Sequence, residues 1–297
     1  MISVIITTFR EPLTIKKAID SFISQNTKES YEILVVAPDK ETEDIVKSYK
    51  DIRIRYLKDP GKGKSNALNL AFKKAKGNIL ILSDGDVYVS NNSINEILNL
   101  FKNKYIGCVT GRPISITDRN SMVGFWSHFL TDIGAHEISR KRRFLNNQFL
   151  ECSGYLFAFR SGIIDKIPTD VAEDTIIPYY FYKKGYKIGY AEKAIVYVKY
   201  PTNLKEFIKQ RVRTAKAHET LKKYAPDLPR VKSFKNEFLG GLKNLKLIFS
   251  YPRNLEEFFW LLLLFPTRLY IWLKVHFQHS IKKEKYKDAW ERIDLTK

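Results

Sequence analysis

The chain has 297 residues, 44% of them hydrophobic, and carries 51 Lys+Arg against 32 Asp+Glu for a formal net charge of +19. That apolar content supports a sizeable core in one large domain or two smaller ones. Its two cysteines, Cys108 and Cys152, exclude a disulfide framework, have no metal-ligand spacing and imply a reducing compartment. The basic excess favours anionic partners: nucleic acid, anionic lipid or a phosphorylated substrate. It is uneven, with 21 basic and 10 acidic residues from Lys205 onward, so +11 of the +19 lies in the last third.

The first 112 residues alternate strand and helix. Strands are predicted at Ser3–Thr8, Glu32–Val36, Ile52–Leu57, Ile79–Ser83 and Ile106–Thr110, because each run is short, apolar and bounded by turn residues. Between them the pattern predicts helices near Leu13–Gln25 (with Pro12 in its first turn), Thr42–Tyr49, Ser65–Ala75 and Ser93–Phe101. This rhythm implies a parallel sheet with right-handed crossovers. Beyond it, Ser121–Phe129 reads as an aromatic helix and Arg140–Arg143 as a basic loop. Tyr155–Arg160 and Ala194–Tyr200 read as further strands, and Leu204–Tyr224 as a helix ended by Pro226 and Pro229. Residues 230–297 read as a basic, aromatic helical appendage to a domain spanning 1–229.

Asp84-Gly85-Asp86 ends the fourth predicted strand. Open α/β sheets bind ligands at that edge, and paired carboxylates there suit a hard divalent cation bridging protein to phosphate. A solvated turn is the alternative. Gly61-Lys62-Gly63-Lys64-Ser65 mimics a P-loop, but Lys58 stands where the first glycine is required. What remains is a cationic loop whose Lys64 can meet a phosphate. Glu173-Asp174 opens an apolar segment, either as a helix cap or as a general base near the metal site. Gln210, Arg211 and Arg213 lie on one predicted helix, either as a solvated basic face or as a diphosphate clamp.

The apolar stretch Phe258–Leu273 is interrupted by Pro266-Thr267-Arg268 and has 16 residues, against the roughly 20 that span a bilayer. A helix lying in the membrane interface and a buried helical hairpin are both compatible with it. No signal peptide is visible at Met1-Ile2-Ser3-Val4-Ile5-Ile6.

In this order the motifs resemble the family 2 glycosyltransferases, the inverting GT-A group, over roughly residues 1–215. Ile6-Thr7-Thr8-Phe9-Arg10-Glu11 is similar to the first-strand motif of that family. Lys64-Ser65-Asn66-Ala67-Leu68-Asn69 is similar to its lysine-to-Ala-Leu-Asn segment, and Asp84-Gly85-Asp86 to its DxD. Gly154-Tyr155-Leu156-Phe157-Ala158-Phe159-Arg160 resembles the strand before its acceptor site, and Ala172-Glu173-Asp174 its Glu-Asp pair. Gln210-Arg211-Val212-Arg213-Thr214 resembles the QxxRW segment of the polysaccharide-synthase branch, with Thr214 in place of the tryptophan.

The resemblance implies a GT-A fold, a Rossmann-like, mostly parallel sheet flanked by helices. It implies a metal-dependent inverting transfer from a nucleoside diphosphate sugar, a UDP-sugar, to a lipid-linked or saccharide acceptor. Donor binding then falls to Thr7, Thr8, Glu11, Asp39, Lys64, Asp84, Asp86, Gln210, Arg211 and Arg213. Asp86 and Asp84 hold Mn²⁺ or Mg²⁺, Gly154 and Glu173 border the acceptor, and Asp174 is the base. Asp39 is displaced from the position of the family's paired aspartates, and the missing tryptophan favours transfer of a single sugar. The expected setting is cytoplasmic, peripheral at the inner face of an anionic membrane, with an oligomer through the tail as an option. A polysaccharide-synthase catalytic subunit is the alternative within the class, and a basic nucleic-acid-binding protein the alternative outside it. For the latter no RNP, helix-turn-helix or zinc pattern is present, and no nucleic acid is expected.

Overall fold

Strand β1 (Ile2–Thr7) is buried along its whole length, and its side chains divide between two cores. Val4 and Ile6 join one and Ile5 joins the other, the period-2 consequence of a strand covered on both faces. The computed structural model describes residues 1–228, 231 and 233–278. After β1 come α1 (Pro12–Ile23), β2 (Tyr31–Ala37), α2 (Lys40–Lys47), β3 (Ile54–Lys58), α3 (Lys64–Lys74), β4 (Ile79–Asp84), β5 (Tyr88–Val89), α4 (Ser93–Phe101) and β6 (Ile106–Ser115). The eight strands form one sheet in the order β3-β2-β1-β4-β7-β6-β8-β5, where β7 is Leu156–Arg160 and β8 is Lys187–Val198. Strands β3, β2, β1 and β4 are parallel, and β7 runs antiparallel between β4 and β6. Helices α1, α2 and α4 cover one face through Ile15, Ile19, Phe22, Val46, Ile94 and Ile97. On the other face lie α3 and α7 (Glu173–Lys183), through Ala67, Leu68, Ile176, Ile177 and Phe181.

The chain moves outward from β1 to β2 and β3, then crosses back so that β4 pairs β1 on its other side. The reversal opens a crevice beyond the carboxyl ends of β1 and β4, the place where such sheets bind ligands. Thr7 and Asp84 are register partners there.

Between β6 and β7 the chain is continuously helical from Met122 to Leu145. Helix α5 (Met122–Phe129) runs into a π-helical stretch, Leu130–Lys141, and then into α6 (Arg142–Leu145). The expected loop at Arg140–Arg143 is therefore the end of a long helix. No Gly or Pro interrupts it after Gly134, and it stops only at Asn146-Asn147, where Asn147 takes φ 52°. Basic residues in a last turn also complement the helix dipole.

Helix α8 (Leu204–Thr220) continues into a short 3₁₀ turn, Leu221–Lys223. Then follow α9 (Phe234–Leu242), α10 (Leu245–Phe249) and α11 (Leu255–His276). Pro266 does not break the Phe258–Leu273 stretch: α11 is one helix of 22 residues, long and apolar enough to cross a membrane by length and composition. A proline costs one backbone hydrogen bond here, and the Thr267 hydroxyl donates to the Leu263 carbonyl in the same turn (2.8 Å). One face of α11 is core. Leu261, Leu264, Ile271 and Val275 pack with Phe125, Trp126, Phe129, Phe207 and Val212. Arg119 holds Glu257 through two hydrogen bonds (2.7 and 2.8 Å), and the Trp126 indole donates to the Trp260 carbonyl (2.6 Å).

Candidate active site

A cavity of about 1180 Å³ opens at this crevice, walled by the ends of β1 and β4, the 151–155 segment, α7, the π-helical stretch, α8, α9 and α11. Its floor is built around Lys64. Gly63, at φ 104°, turns the chain so that α3 begins at Lys64. The Lys64 ammonium lies 2.6 Å from Asp84 Oδ1 and 2.6 Å from Glu173 Oε1. Burial opposes its charge, but the Asp84 and Glu173 carboxylates outweigh that and hold its pKa well above the ordinary lysine value. Burial pushes the Glu173 carboxyl up to about 7, against the pull of Lys64. Lys64 thus ties two carboxylates from distant segments into one cluster.

Gly85 permits the turn that follows. A Cβ there would stand 2.5 Å from both Cβ and Oγ1 of Thr8 and 3.1 Å from Glu11 Oε2. The Thr8 hydroxyl in turn donates to Glu11 Oε2 (2.9 Å). Thr7, Glu11, Lys64, Asp84 and Asp86 line the cavity together. Thr8 and Asp39, expected at the donor, lie outside its lining and act as braces. Asp39 caps α2, with Oδ1 accepting from the Thr42 amide (3.0 Å) and hydroxyl (2.6 Å). Its Oδ2 accepts from the Arg10 amide (3.0 Å), fixing the loop that carries Glu11.

Glu173 and Asp174 form the first turn of α7, so the capping and the functional readings of this pair describe one placement. Gly154 faces them, since a Cβ on it would stand 3.2 Å from Glu173 Oε1 and 3.7 Å from Asp174 Oδ2. Glu173 is locked by Lys64. Asp174 lines the cavity and joins no ion pair among the described residues, while its carbonyl accepts from the Cys152 amide (3.1 Å). Of the two, Asp174 has the carboxylate available to a substrate.

The opposite wall comes from α8. Gln210, Arg211 and Arg213 all line the cavity. Arg211 lies against the rings of Tyr200 (5.6 Å) and Phe207 (5.3 Å). Its Nε and Nη2, like Gln210 Oε1, are buried without a hydrogen-bond partner. A buried guanidinium with idle donors is costly unless an anion meets it. Burial accordingly pulls the Arg211 pKa below its ordinary value.

Several lining residues have no motif signal. Arg140, Arg142 and Arg143 come from the helical segment read as loop, Gln148 from the turn after it, and Glu237, Arg268 and Trp272 from the tail. Glu237 accepts from both Arg268 (2.7 and 2.6 Å) and the Trp272 indole (2.9 Å), joining α9 to α11. Tail residues thus wall the cavity. Lys282, Lys283, Lys285 and Lys287 of the basic appendage lie outside the described residues.

Residues 3–167 match the family profile described as "Glycosyl transferase family 2". The chain is 26% identical over 232 residues to the "Probable glycosyltransferase YdaM" of Bacillus subtilis, covering 73% of this chain and 55% of that protein. It is 25% identical over 232 residues to the poly-beta-1,6-N-acetyl-D-glucosamine synthase of Staphylococcus epidermidis, covering 74% and 55%. The chain thus spans about half the length of these curated relatives, 55% in each case. Among solved structures, the mannosyltransferase PcManGT of Pyrobaculum calidifontis, in complex with GDP-Man and Mn²⁺, superposes with a TM-score of 0.65 at 15% identity, covering 95% of this chain and 88% of that one. The fold is that of the GT-A glycosyltransferases.

Proposed function

The chain belongs to glycosyl transferase family 2, and from that premise we propose that it is a divalent-metal-dependent, inverting transferase moving one sugar from a UDP-sugar to a lipid-linked or saccharide acceptor at a membrane surface. The observation that carries this reading is the Asp84–Lys64–Glu173 cluster at the sheet's switch point, with Asp86 and Asp174 beside it in one cavity. Among the described residues no three His, Cys, Asp or Glu side chains converge as a metal cage. That donor set fits Mg²⁺ or Mn²⁺ in this chemistry, because such ions bind through one or two carboxylates and take their remaining ligands from substrate phosphates and water. Asp86 and Asp84 would hold the ion, which supplies Lewis-acid neutralisation of charge on the departing diphosphate.

The chain's own residues supply the rest. Thr7 and Glu11 border the nucleoside end of the cavity. The idle Nε and Nη2 of Arg211, with Arg213 and Gln210, meet the diphosphate oxygens as fixed donors in a site away from bulk water. Asp174 takes the proton of the acceptor hydroxyl. That oxygen forms the new bond to the anomeric carbon as the bond to the diphosphate oxygen breaks, and the leaving group takes the electron pair. A single in-line displacement inverts the configuration. Thr214, where the synthase branch has tryptophan, supports one transfer per encounter.

Membrane attachment rests on the outer surface of α11. Leu255, Phe259, Leu263, Tyr270 and Leu273 are exposed there and lie outside the cavity lining, and a run of exposed apolar side chains marks an interaction site. Because the opposite face of α11 is core, attachment is monotopic.

The test is a screen of UDP- and GDP-sugars for Mn²⁺-dependent turnover, with UDP binding measured by calorimetry with Mn²⁺ and with EDTA. UDP should bind far more tightly with the ion, and Asp86→Asn should remove the difference. Equal binding with and without metal in the wild type would refute the metal-dependent reading.

A further inference from the structure

We propose that Arg140, Arg142 and Arg143 form an acceptor-side subsite for a phosphate group, so that the sugar acceptor is a phosphate ester. The inference rests on the transferase reading above and adds the acceptor's chemical class. All three arginines line the catalytic cavity. They lie on the π-helical stretch and α6, apart from α8, which carries Arg211 and Arg213. Arg140 is buried behind the 151–154 segment. Its Nε and Nη2 reach the Glu151 and Cys152 carbonyls only at 3.4 and 3.5 Å. The Cys152 amide in turn donates to the Asp174 carbonyl (3.1 Å), so one residue connects Arg140 to the base. Arg143 Nη1 reaches the Phe149 carbonyl at 3.3 Å.

Among the described residues none of the three arginines joins an ion pair with a carboxylate, whereas Arg53, Lys64, Arg119 and Arg268 each do. Glu151 is the carboxylate close enough to bear on Arg143, yet burial still draws the Arg143 pKa below its ordinary value. Arg140, buried, and Arg143, half-buried, are held by long bonds to neutral carbonyls, Arg142 reaches solvent, and among the described residues the buried Glu151 is the carboxylate set against them in the cavity, so three guanidinium groups are short of counter-charge there. A phosphate monoester or diester supplies it, with oxygens spaced for bidentate contact. A neutral saccharide does not.

Two sources share this chemistry, a lipid phosphate and a soluble polyol phosphate. The experiment separates them. With the donor site saturated by UDP and Mn²⁺, inorganic phosphate, glycerol 3-phosphate and a short isoprenyl phosphate are titrated by calorimetry into wild type and into an Arg142→Gln/Arg143→Gln double variant. Both side chains reach solvent, so the variant should fold, and undiminished UDP binding with Mn²⁺ verifies this. Wild type should bind at least one of the phosphate esters, and the double variant should bind it about 10- to 100-fold more weakly, as expected for lost charge-assisted hydrogen bonds. Binding of the isoprenyl phosphate alone assigns a lipid acceptor; binding of glycerol 3-phosphate with similar affinity assigns a soluble one. No binding by wild type, or equal binding by the double variant, overturns the subsite. Loss of Mn²⁺-dependent UDP binding in wild type would instead overturn the transferase reading, so the two failures are distinguishable.

Discussion

Replacing Lys64 with methionine keeps the length of its buried stem and deletes the one charge that compensates Asp84 and Glu173. Both contacts are 2.6 Å, and the side chains of Lys64, Asp84 and Glu173 are only 16%, 22% and 7% exposed. Removing one partner of a buried ion pair costs about 3–5 kcal/mol, because it leaves uncompensated charge. At roughly 2 °C per kcal/mol for a chain of this size, the melting temperature should fall by about 6–10 °C. Two further measurements tie the loss to charge. Lys64→Met/Glu173→Gln removes one of the two stranded carboxylates and should recover about half of it. Mn²⁺ should stabilise Lys64→Met more than wild type, since the variant's Asp84 is no longer held by an ammonium. Thermal unfolding with and without the ion reads all three proteins. A Lys64→Met melting temperature within about 1 °C of wild type, with no added response to Mn²⁺, would refute the reasoning, because the cluster would then contribute no net electrostatic stability.

Asp174→Asn should retain Mn²⁺-dependent UDP binding and lose transfer by roughly 10²–10⁴-fold, the usual worth of a positioned base; single-turnover assays check it. Gly85→Ala should cost about 1–3 kcal/mol as an overpacking change and weaken UDP binding, because its methyl would stand 2.5 Å from Thr8; urea unfolding and calorimetry read the two effects. Glu32 is desolvated, which raises its pKa, but hydrogen bonds from Ser3, the Lys76 amide and Arg55, each 2.7 Å, outweigh burial and leave it below the ordinary 4.5. A depressed carboxylate stabilises above its unfolded pKa and loses that contribution as pH falls through its folded pKa. Glu32→Gln should therefore destabilise by about 1–3 kcal/mol at pH 7 and approach wild type as the pH falls below 4.5 and through the lower folded value in urea titrations.

The parallel half of the sheet was legible because both of its faces are buried. Runs such as Ile79-Leu80-Ile81-Leu82 then read as continuous apolar strands, and their boundaries moved by only one or two residues. Strand β8 was half missed: Lys187, Glu192 and Lys193 interrupt it, and only Ala194 onward looks like a strand. The basic run Arg140–Arg143 looks like a solvated loop by charge alone, although nothing in the sequence breaks the helix before Asn146. Lys64, Asp84 and Glu173 were found by motif, but their union was not, since it depends on a contact between residues 109 positions apart. Thr8 and Asp39 show the reverse. Expected at the donor, they are held instead as supports for Glu11 and the Arg10 amide.

Helix α11 poses a physical problem that its composition alone does not reveal. A helix apolar all round belongs either in a core or in lipid, and this one divides the two around its axis. Leu261, Leu264, Ile271 and Val275 are at most 2% exposed, while Leu255 is 78%, Phe259 62% and Leu273 60% exposed. Deleting the tail removes both faces at once. A chain ending near Pro252 strips the cover from Trp126 and Phe207 and takes Arg268 and Trp272 from the cavity wall, so a loss of vesicle binding there would be ambiguous. Changing only the outer face is decisive. Phe259→Ser/Leu263→Ser/Leu273→Ser leaves the buried contacts in place, and its melting temperature should stay close to wild type, because exposed positions contribute little to folding. In flotation with anionic vesicles the wild type should rise with the lipid and be partly released by salt, as expected when basic residues add to apolar insertion. The triple variant should remain in solution with UDP binding intact. If it floats as well as wild type, the outer face of α11 is not the membrane contact; if it unfolds, that face is buried against another copy of the chain.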